Sequence, residues 1–167
     1  MIRVAEEADW PAVLEVHRLA FGREDVPRLV TEIREARLEV PSLSFVAVAE
    51  DGTVVGNVMN SWSTIEGSDA RLLQLSPLGV HPDFQRQGHG AALVRASLEG
   101  VRALGERLLL VEGNPRYYGR FGFVRADELG LLPPPEALYD WAFQVAVLDE
   151  RAELPQGRVV YSEPFRH

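Results

Sequence analysis

Between residues 78 and 93 the sequence reads Leu-Gly-Val-His-Pro-Asp-Phe-Gln-Arg-Gln-Gly-His-Gly-Ala-Ala-Leu. An apolar run ends, a glycine-bearing loop follows, and Ala91, Val94, Leu98 and Val101 then recur on one helical face. A strand that turns directly into a helix leaves the first helical N–H groups pointing outward, with no partner inside the helix. They sit at the positive end of the macrodipole, and Gly88 and Gly90 carry no side chain to keep an anion from the backbone. A phosphate or diphosphate is the natural guest of such a turn. A P-loop would need Gly-Lys-Ser/Thr, and the chain has no lysine. A dinucleotide-binding fingerprint would need a small residue at 93, where leucine stands, and repeated βαβ units.

The remaining pattern surrounds this loop with mixed elements. Ile2–Val4 reads as a strand, and Asp9 as an N-cap with Pro11 in the first turn of a helix that ends near Gly22. Val26, Leu29, Val30 and Ile33 predict a helix over 25–37. Residues 45–49 and 54–62 are β-rich and flank Asp51-Gly52, a hairpin signal. A strand follows over 72–80, with Pro77 predicting a bulge or a one-sided opening because proline donates no ladder bond. A helix is expected over 90–104, a buried strand over 107–112, a short helix or turn over 117–121, and strands over 143–148 and 159–161. Strands adjacent in the middle with helices between others predict one α/β or α+β domain spanning residues 1–167, a sheet covered by helices.

Composition narrows the function. Seventeen arginines against 25 acidic residues give a net charge of −8, which speaks against a broad nucleic-acid surface. The absence of cysteine excludes disulfides, thiolate nucleophiles and zinc–thiolate sites. His81 and His89 lack a third ligand at metal-binding spacing, so no metal is expected. No apolar run approaches the ~20 residues of a membrane helix, and the N-terminus lacks a signal peptide's apolar core. A cytoplasmic protein without membrane contact is the expectation.

Gln85-x-x-Gly88-x-Gly90, following Leu78-x-Val80 and His81-Pro82, resembles the signature loop of the Gcn5-related N-acetyltransferase (GNAT) superfamily. Downstream, Tyr118-Gly-Arg-Phe-Gly122-Phe123 is similar to that family's Tyr-x-x-x-Gly-Phe element. The resemblance covers nearly the whole chain and is sharpest over 72–123. It implies a central mixed, mostly antiparallel twisted sheet with helices on both faces and a splay between the fourth and fifth strands. It also implies transfer of an acetyl group from acetyl-CoA, as co-substrate, to a primary amine of a small molecule or protein. Carried over by position, the N–H groups of Arg86, Gln87, Gly88, His89, Gly90 and Ala91 hold the CoA diphosphate, with Gln85 opening the motif. The main chain of Leu78, Gly79 and Val80 lies along pantetheine, and the Leu78 N–H faces the thioester oxygen.

Acyl transfer from a thioester to an amine needs the amine deprotonated, the oxyanion held and the thiolate protonated. Tyr118 matches the family's acid, with Tyr117 as its adjacent competitor. The base departs from the family: Gln74 stands where several members carry glutamate, and an amide accepts no proton. Glu112, ending the next strand, is the remaining carboxylate, with ordered water or an already neutral amine as the other routes. Asn114 corresponds to an asparagine that bonds pantetheine in many relatives. It stands only four residues before Tyr118, so a helix cap is its other reading. The rivals are a non-catalytic acyl-CoA binding or sensing module and, more remotely, a nucleotide-binding protein of another fold. Fold analogy leaves a homodimer through the late strands open.

Overall fold

Strand β4 (Arg71–Val80) carries the chain from an apolar ladder into the glycine loop. The computed structural model describes residues 1–166. It forms two compact units: Met1–Ser61 with Leu75–Gly100, and Trp62–Gln74 with the chain from Val101 onward.

In the first unit, β1 (Ile2–Val4) pairs antiparallel with β2 (Phe45–Val48), which pairs antiparallel with β3 (Val54–Ile65). The turn at Asp51-Gly52 works as the sequence predicts: Gly52 takes φ +90° and the Asp51 carboxylate accepts from the Thr53 N–H. The register slips between Ala47 and Val48, next to that turn. Helices α1 (Trp10–Phe21), α2 (Asp25–Glu35) and the part of α3 (His89–Ala103) up to Gly100 complete the unit. Val13, Val16, Val30, Ile33, Val46, Val55, Val58, Leu93 and Val94 are buried there, each contributing about 1.5–3 kcal/mol against exposure. Gly22 ends α1 in the left-handed conformation, as its position predicts.

Asp9 does not cap α1 as expected. A 3-10 turn over Glu7–Asp9 precedes the helix, and the Asp9 carboxylate instead accepts two bonds from Arg3, at 2.7 and 2.9 Å, and one from the Glu6 N–H. Helix α2 stops at Glu35, two residues short of the prediction, because Arg37 takes φ +54°.

His17 on α1 is fully buried in this unit. Its Nε2 lies 2.8 Å from Asn57 Oδ1, while Asn57 Nδ2 donates to the Phe45 carbonyl at 3.0 Å. The asparagine oxygen is thus the acceptor, and Nε2 carries the imidazole proton. Burial pushes His17 down to about 4, against a smaller upward pull from Asn57. A histidine whose folded value is depressed stabilises the fold above its unfolded value of ~6.5, and the contribution is lost as pH falls through the folded value. Unfolding free energy should therefore fall by about 3 kcal/mol between pH 6.5 and 4 on this account. Denaturant melts of the wild type and of His17→Leu across that range check it. A loss equally steep in the variant contradicts the assignment.

The second unit is built on β5 (Leu108–Glu112), which pairs in parallel with β4 at Leu73↔Leu109 and Gln74↔Leu110. That ladder ends at Gln74, while β4 itself runs on to Val80 through the buried Pro77. On its other edge β5 pairs antiparallel along its full length with β8 (Phe143–Val147). Two short strands escaped the sequence pattern: β6 (Val124–Arg125), on β8, and β7 (Leu131–Leu132), parallel to β9 (Gly157–Val160). Strand β9 pairs antiparallel with Thr64 and Ile65 of β3. Helix α4 (Pro115–Tyr118) and a 3-10 turn over Gly119–Phe121 occupy the segment expected as a short helix or turn. Ile65, Leu72, Leu108, Leu110, Leu131, Phe143, Val145 and Val159 form the apolar cluster of this unit. The fold is mixed α/β with a mostly antiparallel sheet.

Among the described residues, no helix is long and apolar enough to cross a membrane. No group of three or more His, Asp or Glu side chains there is placed to hold a metal ion.

Candidate functional site

In the first unit, β4 ends at Val80 and the chain enters a 3-10 turn over Pro82–Phe84. His81 caps that turn, its Nδ1 accepting from the Asp83 N–H at 3.1 Å, and its own N–H donates to the Val55 carbonyl. Gln85 folds back so that Nε2 donates to the Val80 carbonyl at 3.0 Å, closing the loop at its base. Arg86 then takes φ +62° and Gly88 φ +88°. Left-handed φ angles at 86 and 88 belong to the class of backbone turn from which anion-binding nests are made. The first helical bond runs from the Ala92 N–H to the Gly88 carbonyl, so Gly88 is the N-cap of α3. Among the described residues, no protein acceptor takes the N–H of Arg86, Gln87, Gly88, His89, Gly90 or Ala91. Arg86, Gln87 and Gly88 are exposed; His89 is half-buried with its ring edge-on to Phe84.

Gly79, between Leu78 and Val80, faces α1. A Cβ there would lie 2.7 Å from His17 Nδ1 and 3.5 Å from the Ala20 methyl. Only glycine lets β4 lie this close to the His17 ring. Gly56 of β3 is similarly constrained, by Leu93 and by the Gly79 carbonyl.

The second unit gathers a different set of groups at the C-terminal end of β5. The Glu112 carboxylate accepts from the Tyr161 hydroxyl at 2.7 Å through Oε1 and from the Leu138 N–H at 3.1 Å through Oε2. Gly113 follows; a Cβ on it would run into the Tyr118 ring, which therefore lies directly against this backbone. Asn114 caps α4, its Oδ1 accepting from the Arg116 N–H at 2.9 Å and its Nδ2 left as a donor. The Tyr118 ring meets Tyr117 edge-on at 5.0 Å and Phe123 at 5.6 Å. No hydrogen bond ties its hydroxyl to the described residues. Burial, with a smaller push from Tyr117, raises the Tyr118 phenol above its ordinary 10, so the group stays protonated. Tyr161 is raised more strongly, first by burial and then by the Glu112 charge.

The two partners of Glu112 are what sequence reading missed. They lie 26 and 49 residues away, beyond any local pattern. Gln74 is buried, and its amide oxygen accepts from the Ser63 hydroxyl at 2.8 Å. Trp10 is buried beneath the Arg34 guanidinium at 3.9 Å, and Trp62 lies under Arg71 at 4.2 Å. Trp141 is half-exposed and stacked on Tyr139.

Residues 1–126 match the model of the acetyltransferase (GNAT) domain family. The chain is 31% identical over 169 residues to the uncharacterized N-acetyltransferase YhbS of Escherichia coli K12, covering 99% of this chain and 98% of the relative. It is 34% identical over 122 residues to the uncharacterized N-acetyltransferase YjhQ of the same strain, covering 72% of this chain and 67% of that protein. Among solved structures it resembles Escherichia coli YhbS in complex with CoA, with a TM-score of 0.91 and 30% identity, covering 100% of this chain and 92% of the other. It also resembles a GNAT family acetyltransferase from Brucella melitensis in complex with acetyl-CoA, with a TM-score of 0.81 and 28% identity, covering 99% and 97%.

Proposed function

The chain belongs to the GNAT acetyltransferase family, and from that premise we propose that it moves an acetyl group from acetyl-CoA directly to a primary amine. The observation that carries this reading is the set of six N–H groups, Arg86 to Ala91, that donate to nothing in the described chain. Six unpaired donors across the loop and the first turn of α3 suit a diphosphate, because charge-assisted bonds to backbone N–H groups are stronger than neutral ones. Gln85 braces the loop through Val80, and pantetheine lies along Leu78, Gly79 and Val80 with the Leu78 N–H toward the thioester oxygen. Asn114 Nδ2 is a further donor toward pantetheine.

In the reaction the amine nitrogen bonds to the thioester carbon, the carbon–sulfur bond breaks, and the proton lost by the amine is balanced by one delivered to the sulfur. Tyr118, held protonated by burial, donates to the thiolate. Glu112, an acceptor when ionised, takes the amine's proton. Gln74 favours a second reading, a non-catalytic acyl-CoA module, since its amide is engaged with Ser63 and accepts no proton. Turnover of any amine decides between the two.

Thermal melts with acetyl-CoA, ATP and NAD test the cofactor. A ligand at a hundredfold excess over its Kd adds about 2.7 kcal/mol, or several degrees for a chain this long. The melting temperature should rise with acetyl-CoA. A rise with ATP or NAD and none with acetyl-CoA overturns the reading.

A further inference from the structure

We propose that residues Tyr139–Trp141 form the acceptor-recognition arch of this transferase, and that the acceptor is a small amine carrying a second positive charge, of the diamine or polyamine class. The inference rests on the transferase reading and deepens it.

Three observations, all within the second unit, carry it. First, the segment is fixed at both ends to the residues that hold Tyr118. The Leu138 N–H donates to Glu112 Oε2 at 3.1 Å, and the Gly113 N–H donates to the Ala142 carbonyl at 3.0 Å. Gln144 Nε2 adds bonds to the Gly113 and Ala142 carbonyls, at 3.0 and 3.2 Å. The arch is thus bolted to Glu112 and Gly113, and the Tyr118 ring lies on Gly113.

Second, the arch presents aromatic surface that the fold does not bury. Tyr139 and Trp141 are stacked, with centroids 4.9 Å apart and planes at 15°, and they remain 56% and 49% exposed. Large aromatic side chains ordinarily contribute by burial, so an exposed stacked pair on an anchored segment is a contact surface for something else.

Third, the charge beside the arch is negative and lacks an internal counter-ion. Among the described residues, neither Glu112 nor Glu136 belongs to an ion pair, in a chain with 17 arginines. Asp140 differs: Arg125, held by Asp127 at 2.7 Å, also feels its charge. Glu112 accepts from the Tyr161 hydroxyl and from the Leu138 N–H, and Glu136 lies two residues before Leu138, so both carboxylates belong to the N-terminal end of the arch. Aromatic faces attract cations through their quadrupole, and carboxylates do so by charge. An uncharged aromatic acceptor would use the stack and leave Glu136, which has no ion-pair partner among the described residues, without a counter-charge. A dication uses both: one amine is acetylated, while the other stays protonated against the arch.

Initial-rate measurements with saturating acetyl-CoA compare 1,4-diaminobutane, butylamine and phenylethylamine. The expected kcat/KM for the diamine exceeds that for butylamine about tenfold, after allowing for its two equivalent amines, a preference of the size of a cation–π contact. Glu136→Gln and Trp141→Ala each bring that ratio toward one. Glu136 is exposed, so its isosteric variant keeps the test usable if the tryptophan variant does not fold. Butylamine or phenylethylamine used as well as the diamine, or a ratio unmoved by both substitutions, overturns the inference. So does acetyl-CoA binding without acetylation of the diamine. Failure to bind acetyl-CoA is a different result, and overturns the transferase reading itself.

Discussion

Gly88→Asp should weaken acetyl-CoA binding by about 100-fold or more while leaving the melting temperature within a few degrees of wild type. The two effects separate because they arise from different physics. Position 88 has φ +88°, and a Cβ there meets no atom within 4 Å, so the substitution costs backbone strain and causes no collision. That strain is about 1–2 kcal/mol. A carboxylate at the N-cap of α3 partly offsets it, by about 0.5–1 kcal/mol, through the dipole and the uncapped N–H groups. The same carboxylate stands in the nest where the diphosphate would lie. It repels that anion and competes for its donors. Two hydrogen bonds to a charged group, at about 1.5–3 kcal/mol each, correspond to a loss of about 100-fold or more. Gly88→Ala carries the strain without the charge and should lose far less affinity. Calorimetric titration of both variants with acetyl-CoA reads the difference; equal losses, or none, would count against the nest.

Tyr118→Phe is the second large effect, and it falls on kcat. Removal of a general acid costs about 100-fold or more in rate. The ring keeps its contacts with Tyr117, Phe123 and the Gly113 backbone. The hydroxyl makes no hydrogen bond with the described residues, so its loss should leave stability nearly unchanged. The KM for acetyl-CoA should also change little, because the donors proposed for the diphosphate, Arg86 to Ala91, are other residues. Because burial raises the phenol, its ionisation adds no falling limb to the kcat–pH profile below about pH 10. Tyr117→Phe is the matched control for the adjacent ring. Wild-type kcat in Tyr118→Phe, or an equal loss in the control, removes Tyr118 from the acid role.

Much of this was legible in the sequence where the signal is local. The Asp51-Gly52 hairpin, the Gly22 cap, and the strand, loop and helix over 78–93 all rest on neighbouring residues and short periodicities. Asn114 as a cap belongs to the same class. The two-residue strands β6 and β7 are too short to show a period and exist only because β8 and β9 pair with them. The cap expected at Asp9 was lost to a tertiary partner, since Arg3 on β1 takes that carboxylate. The surroundings of Glu112 and of His17 depend on partners 26 to 49 residues away. No local pattern carries that information, so identities at these sites could be named from the sequence while their contacts could not.

Backbone amide chemical shifts, followed by 15N NMR during titration, test the central claim most directly. With acetyl-CoA the largest changes should fall on the contiguous amides of Arg86 to Ala91. Pantetheine, which lacks the diphosphate, should leave those six unmoved. Acetyl-CoA binding that shifts amides elsewhere while 86–91 stay in place would contradict the account.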